Sequence, residues 1–488
     1  MNPKATIAWA VGLESLATQA IVGGFSVEYD GPYTADCDGE CPGKKPTPPS
    51  PPQAVQQTIE HVLSTSPSAD LVFASGSSSL IISWYTSFLG VTEENTYKIP
   101  FSPGFKNGFF DNQTVSLNAT MQMQTDKTKV ETYRLWDMRN LYGYMVAKAT
   151  FEAHTNPEFD FINRQNRTFI ASESTFSAAS SAASAHFFGE TPRTYEWMKS
   201  TISSMLSMNI LGVPIVGSDV CGTSGKQDDM LCAYWYQLAV FYPLARNNYK
   251  VADGANEPYN VKDKTNALPM IKTAMQDRLK MLRYIYTTAF EAHLNGGTVV
   301  RPMYHEYPED EDAWFNLDQD FMVGKHVKVS PVLAAGLKEY DSYFPAEKGE
   351  AWVNLFDLSD LQVAGDPKMH KRTMIKPSHH VNAYLRPGSI IPMQDLEYTG
   401  PDGKTKMMSM TTEDLMRKNK VNLVINPDKD QRATGTVLID DGYSRDYLMN
   451  GMYDYYEFVM TNGVIRKQWK TNESGAGGYP DAKKGEPV

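Results

Sequence analysis

Four cysteines and nine histidines in 488 residues, with no C-x-x-C pair and no histidine cluster beside a cysteine, leave little from which to build a structural zinc site. A basic excess is missing too. The net charge is −11, which argues against nucleic acid as the main partner. No apolar run is both long and undiluted. The best candidate, residues 71–91 (LVFASGSSSLIISWYTSFLGV), is interrupted by Ser, Thr and Gly, whereas a bilayer core wants about 20 mostly apolar residues. It reads as a buried insertion, and no membrane span is expected. No signal-peptide pattern opens at Met1, and no internal repeat is visible. No cofactor motif emerges.

Aromatic residues are plentiful at 11%, 27 of them Tyr, and hydrophobic content is an ordinary 41%. The length allows up to about three domains, or one barrel plus smaller units. The cysteines fall into two close pairs, Cys37 with Cys41 and Cys221 with Cys232. Four N-glycosylation triplets begin at Asn112, Asn118, Asn166 and Asn472. Each triplet alone is a weak signal. Together with the paired cysteines they favour an oxidising, secretory compartment, with a secreted, lysosomal or surface destination.

Residues 5–28 read as an amphipathic helix, a Gly-Gly break and a short strand, FSVE. Residues 42–52 form a proline-rich loop, and the irregular region up to about 130 is long enough to be an insertion. Regular alternation follows. Helices are expected over 140–154, 195–212, 229–246 and 269–294, and strands over 167–173, 213–219 and 298–306. Strand–helix alternation with polar residues at strand ends is the pattern of a parallel α/β barrel. After Ser330-Pro331 short strands and turns take over, as in β-sandwiches.

GVPIVGSDVCG (212–222) and GGTVVRPMYHEYPEDEDAW (296–314) resemble glycoside hydrolase family 31, the α-glucosidase, maltase and sucrase-isomaltase group. Further stretches match in family order: NLYGY (140–144), ESTF (173–176), HFFGE (186–190), FYPLARNN (241–248), DSYFP (341–345), RPGSIIP (386–392) and IDDGYS (439–444). The resemblance implies an α/β fold, a (β/α)8 TIM barrel to which this chain supplies roughly strands 4–8, followed by all-β sandwich domains. The implied domains are a partial barrel over 1–331 with an insertion at about 42–130, a proximal β-domain over 332–420, and the start of a distal one over 421–488. A half-barrel exposes sheet edges. The missing strands are therefore expected from a preceding N-terminal half or a separate fragment.

Family members hydrolyse α-glucosides with retention, using a nucleophilic carboxylate and a second carboxyl as acid/base about 5–5.5 Å away. By resemblance Glu28 of FSVEYDGP takes the nucleophile slot, with Asp30 in contention if the register shifts by one. Glu190 takes the acid/base slot. A sugar-binding Arg slot holds Glu173, and a sugar-contact His slot holds Asn248, while Asp219, Arg246 and His186 remain. Exchange of Asp for Glu moves the charge by one methylene, about 1.5 Å. Such a misplacement can cost on the order of 100-fold in rate. Carboxylates at 28, 173, 190 and 219, with Arg246 the one evident cation, are expected to raise one another's pKa values.

The expectation is thus an α-glucosidase-like glycoprotein with impaired hydrolysis, serving as a structural or glycan-binding subunit of a secreted or surface assembly. The alternative is an active retaining α-glucosidase with Glu28 as nucleophile and Glu190 as acid/base, and a third reading is a scaffold that binds through the 42–130 insertion. Cys221 and Cys232 resemble a pair that is disulfide-linked in the family, and Cys37 and Cys41 are expected to bond to each other. His186 reads as a packed residue as well as a candidate sugar contact. The acid run EDEDAW (309–314) reads as a solvated loop rather than a calcium site.

Overall fold

The computed structural model describes residues 25–27, 120–124, 130–138, 141–155, 166–177, 184–315, 318–345, 347, 350–363, 372–399, 405–407 and 420–469. Expectations for Glu28, Asp30, Cys37, Cys41, Asn112, Asn118 and Asn472, and for the 71–91 segment, lie outside those residues. The chain divides into two compact units, Met1–Arg164 with Thr168–Ser184, and Gln165–Arg167 with Ala185–Val488.

In the first unit, strand β1 (Phe25–Val27) stands where FSVE was expected. β2 (Thr120–Gln124) and β3 (Val130–Arg134) form an antiparallel hairpin. Helix α1 (Tyr142–Thr155) presents Val146, with Tyr142 and Phe151, to Ile170 of β4 (Ile170–Ser172). β1 and β4 are parallel, with Phe25 opposite Ile170 and Val27 opposite Ser172. The Ser184 hydroxyl donates to the Thr168 carbonyl at 2.9 Å and accepts from the Ile170 N–H at 3.3 Å, which ties down the entry to β4.

The second unit opens with β5 (Ala185–Phe187), helix α2 (Tyr195–Ile210) and β6 (Val216–Gly217). β5 and β6 are parallel with a helix between them, a β-α-β unit. Thr194 caps α2 by accepting from the Trp197 N–H at 3.2 Å. Met198, Ile202, Met205 and Leu206 give α2 one buried face, at helical spacing. Each of these side chains stabilises the fold by about 1.5–3 kcal/mol on full burial. Gly212 follows the helix at φ +84°, a left-handed conformation that suits glycine at a helix end.

Helix α3 (Asp229–Ala239) is capped by Asp228, whose carboxylate accepts from the Met230 and Leu231 N–H groups at 3.0 and 2.9 Å. It stops well short of residue 246, where the sequence pattern had placed its end. The chain tightens there: the N–H groups of Val240, Phe241 and Tyr242 reach back to the carbonyls of Gln237, Leu238 and Ala239. Pro243 cannot extend the helix, and it disfavours the helical conformation of the residue before it. Arg278 of α4 (Ala267–Asn295) donates to the carbonyls of the buried Ala239, Val240 and Tyr242 at 2.7, 3.2 and 2.6 Å.

The segment read as a barrel strand at 298–306 is shorter and differently partnered. β7 (Val300–Pro302) pairs antiparallel with β8 (Phe321–Val323), and residues Met303–Glu306 turn into a short helix. The buried Asn209 of α2 fixes the start of β7, its side-chain oxygen accepting from the N–H groups of Val299 and Val300 at 2.9 and 3.0 Å. β9 (Val327–Val329) continues the sheet. β10 (Tyr340–Tyr343) lies outside that sheet, whereas β11 (Ala351–Asn354) and β12 (Leu361–Val363) join it. β13 (Arg372–Ile375) pairs with β10, and β14 (Ala383–Leu385) completes the order β12-β11-β14-β9-β8-β7. One sheet therefore runs across the change in sequence pattern at Pro331.

β15 (Ser389–Gln394) begins a second sheet. β16 (Glu397–Thr399) and β17 (Thr405–Met407) form a side hairpin. β18 (Val421–Asn426), β19 (Arg432–Ile439), β20 (Asp454–Thr461) and β21 (Val464–Trp469) complete the order β18-β15-β19-β20-β21. α2, α3, α4, the β7–β9 strands, β14 and β15 share one core, with Trp235, Phe241 and Tyr242 fully buried in it.

Candidate active site

Three segments of the second unit meet beyond the C-terminal ends of β5 and β6. His186 lies opposite Val216, and the Phe188 N–H donates to the Gly217 carbonyl at 3.1 Å. β5 thus carries the chain to Glu190, and β6 carries it to Asp219. The third segment, residues 244–250, returns alongside: the Leu244 N–H donates to Val216 O at 3.2 Å, and the Val220 N–H donates to Arg246 O at 2.8 Å. This approach dictates the glycine of the G-S-D motif. A Cβ on Gly217 would stand 1.7 Å from the Leu244 carbonyl oxygen.

Asp219 is buried, its side chain 1% exposed, and it receives Arg246 through two guanidinium nitrogens, with Nη2 3.1 Å from Oδ2. The guanidinium carbon lies 3.8 Å from the Phe187 ring centroid, a cation–π contact. The sequence pairs this Asp and Arg as sugar-binding candidates. The structure shows them braced against each other, joining two strand-end segments. His186 is buried in β5 and packs edge-to-face with Phe188 at 5.1 Å, as the packed reading expects. The side-chain oxygen of Asn248 accepts from the Tyr249 N–H at 2.9 Å, a local turn contact.

Glu190 meets a cation that the sequence reading did not identify. Lys250 Nζ is 2.5 Å from Glu190 Oε2, with both side chains nearly half exposed. Arg246 is therefore not the one cation near these carboxylates, and the expected excess of negative charge is corrected to that extent. Glu173 follows β4 in the first compact unit, partly exposed, whereas Glu190, Asp219, Arg246, Asn248 and Lys250 belong to the second.

A disulfide joins Cys221 to Cys232 at the base of α3, as the resemblance implied, with Cys221 at φ +74°. Arg193 adds a second tether that sequence reading missed. Its buried guanidinium donates to the carbonyls of Gly222, Gly225, Asp253 and Gly254 at 3.3, 3.1, 2.9 and 2.8 Å. The only sequence signal for Lys250 and Arg193 is that they lie two and three residues after motif positions 248 and 190.

Among the described residues, no group of three or more His, Cys, Asp or Glu side chains could hold a metal ion. In the acid run, Asp310 accepts from the Tyr343 hydroxyl at 2.6 Å and from the Asp312 N–H at 3.2 Å, which gives that carboxylate a structural role. Asn166 is partly exposed and forms a backbone bridge with Ser444. Among the described residues, no helix is long and apolar enough to cross a membrane.

Residues 44–288 match the family model for the glycosyl hydrolases family 31 TIM-barrel domain, and residues 296–391 match that for the family's C-terminal domain. The barrel match begins after Glu28. A probable α-glucosidase of Oryza sativa subsp. japonica is 32% identical over 310 residues, 63% of this chain and 32% of that protein. The lysosomal α-glucosidase of Mus musculus is 30% identical over 392 residues, 77% of this chain and 38% of that protein. A solved structure of the glucosidase II alpha subunit superposes with a TM-score of 0.60 at 23% identity, covering 71% of this chain and 36% of that one. The chain spans about a third of the length of these relatives. With TIM-barrel and C-terminal β-domain matches in family order, the chain belongs to glycoside hydrolase family 31.

Proposed function

We propose that this protein is a secretory-pathway glycoprotein of α-glucosidase type whose hydrolysis is lost or nearly lost, and that it serves as a structural or glycan-binding subunit. The observation that carries the reading is the Lys250–Glu190 ion pair. A retaining hydrolase needs a carboxyl that delivers a proton to the leaving oxygen. Glu190, in the acid/base slot, instead accepts from an ammonium, and that contact must break before Glu190 can donate. Its side chain is also about 1.5 Å longer than the family's Asp. Asn248 replaces the family's sugar-contact His and engages its own turn. In this reading Glu173 takes the place of a sugar-binding Arg, Asn112, Asn118, Asn166 and Asn472 carry glycans, and Cys37 bonds to Cys41.

One observation favours a second reading, an active retaining α-glucosidase with Glu28 as nucleophile. The Lys250 and Glu190 side chains are 44% and 46% exposed, and exposed ion pairs are weak enough to open readily. Calorimetric titration with maltose, followed by assay of the same sample for released glucose, separates the two. Binding without release supports the non-hydrolytic subunit, and release supports the enzyme.

A further inference from the structure

We infer that Arg193 is a positioning residue that holds Lys250 against Glu190 and so keeps this carboxylate engaged. The inference rests on the proposed reading of the site and names the device that regulates it. Glu190 and Lys250 stand on different strand-end segments, so their contact depends on what fixes those segments to each other. A buried guanidinium sits at that junction. Arg193 lies three residues after Glu190. Its Nη1 and Nη2 donate to Asp253 O at 2.9 Å and Gly254 O at 2.8 Å, at the end of the turn that Lys250 begins. The turn itself is closed by the Asp253 N–H, which donates to Lys250 O at 2.9 Å.

The same guanidinium reaches the loop after β6, through Gly222 O and Gly225 O. That loop is in turn bonded to both partner segments. The Lys250 N–H donates to Thr223 O at 2.8 Å, the Thr223 N–H to Thr191 O at 2.7 Å, and the Arg193 N–H to Ser224 O at 2.8 Å. Asn256 adds a donor to Gly222 O at 2.7 Å. The backbones on either side of the ion pair are therefore fixed relative to each other, and the two side chains start from anchored Cα positions. Five N–H donors in a planar fork suit Arg to this task, and Lys could satisfy only part of the carbonyl set.

The test is the amine reactivity of Lys250 in the purified protein, followed by acetic anhydride labelling and peptide mass mapping, with the exposed Lys338 as internal reference. Arg193→Met should raise Lys250 labelling about 2- to 5-fold, the range expected for releasing an exposed ion pair. Glu190→Gln should raise it by a similar factor, and the double variant should show no further rise, because both changes release the same contact. Arg193→Lys should fall between wild type and Arg193→Met, and it is the variant to read if Arg193→Met fails to fold. Unchanged Lys250 labelling in the Arg193 variants overturns the inference, as does a multiplicative effect in the double variant. Unchanged labelling in Glu190→Gln also overturns it, since no pair would then exist to be positioned. None of these outcomes depends on whether the protein hydrolyses glucosides, which is decided separately by turnover.

Discussion

Arg246 and the buried Asp219 form a partly buried brace between two strand-end segments, bonded through their side chains and by the neighbouring backbone, with the guanidinium over the Phe187 ring. Asp219 is almost wholly removed from water, and Arg246 brings a positive charge against it. Removing one member of a buried pair costs about 3–5 kcal/mol, because the other is left uncompensated. Arg246→Met is expected to lower unfolding free energy in urea by that order. Arg246→Met combined with Asp219→Asn is expected to cost less than the sum of the single changes, since both act on one contact.

The Cys221–Cys232 bond closes a short loop at the entrance to α3, over the segment that follows Asp219. Crosslinks of this kind stabilise by about 2–4 kcal/mol, chiefly by restricting the unfolded chain. Non-reducing peptide mapping should recover the two cysteines as one linked species. Replacing both by Ala should lower the urea midpoint, and dithiothreitol should shift that variant's midpoint less than it shifts wild type's.

His326 supplies a pH-dependent term. It is buried, with Nδ1 2.8 Å from the Ser389 hydroxyl, and its ring faces Tyr284. Burial, reinforced by the positive charges of Lys325, Arg386 and Arg301, pushes its pKa down to about 3. The ordinary value is about 6.5. Below that value the unfolded chain takes up a proton that the folded chain refuses. The contribution to stability is therefore full above pH of about 6.5 and declines as pH falls toward about 3. Between pH 7.5 and pH 5, wild type should lose about 2 kcal/mol more unfolding free energy than His326→Gln. Equal losses in the two proteins would show that His326 titrates normally.

Much of the architecture was legible because it depends on local pattern. The buried stripe of α2, its Thr194 cap and the glycine at 212 mark that helix in the sequence. The spacing of Met270, Ile271, Ala274, Met281 and Ile285 marks α4 in the same way. The features that were not legible depend on pairing between distant segments. Val299 and Val300 give the segment the look of a barrel strand, and only the antiparallel register of Val300–Pro302 with Phe321–Val323 assigns it to the later sheet. The end of α3 is set by Pro243 and by Arg278 from another helix, not by a break in hydrophobic spacing. In the site, the motif residues Asp219, Arg246 and Glu190 could be read by resemblance. Lys250 and Arg193 could not, because their partners lie in other segments of the chain. The charge inventory made from motif positions alone therefore missed the cation that meets Glu190.

The most direct measurement is turnover of p-nitrophenyl α-glucoside by the purified protein, alongside its Glu28→Gln and Glu190→Gln variants. The account predicts that wild type releases no nitrophenol beyond what the two variants release. Sustained release by wild type that either substitution abolishes would contradict it and establish a working α-glucosidase.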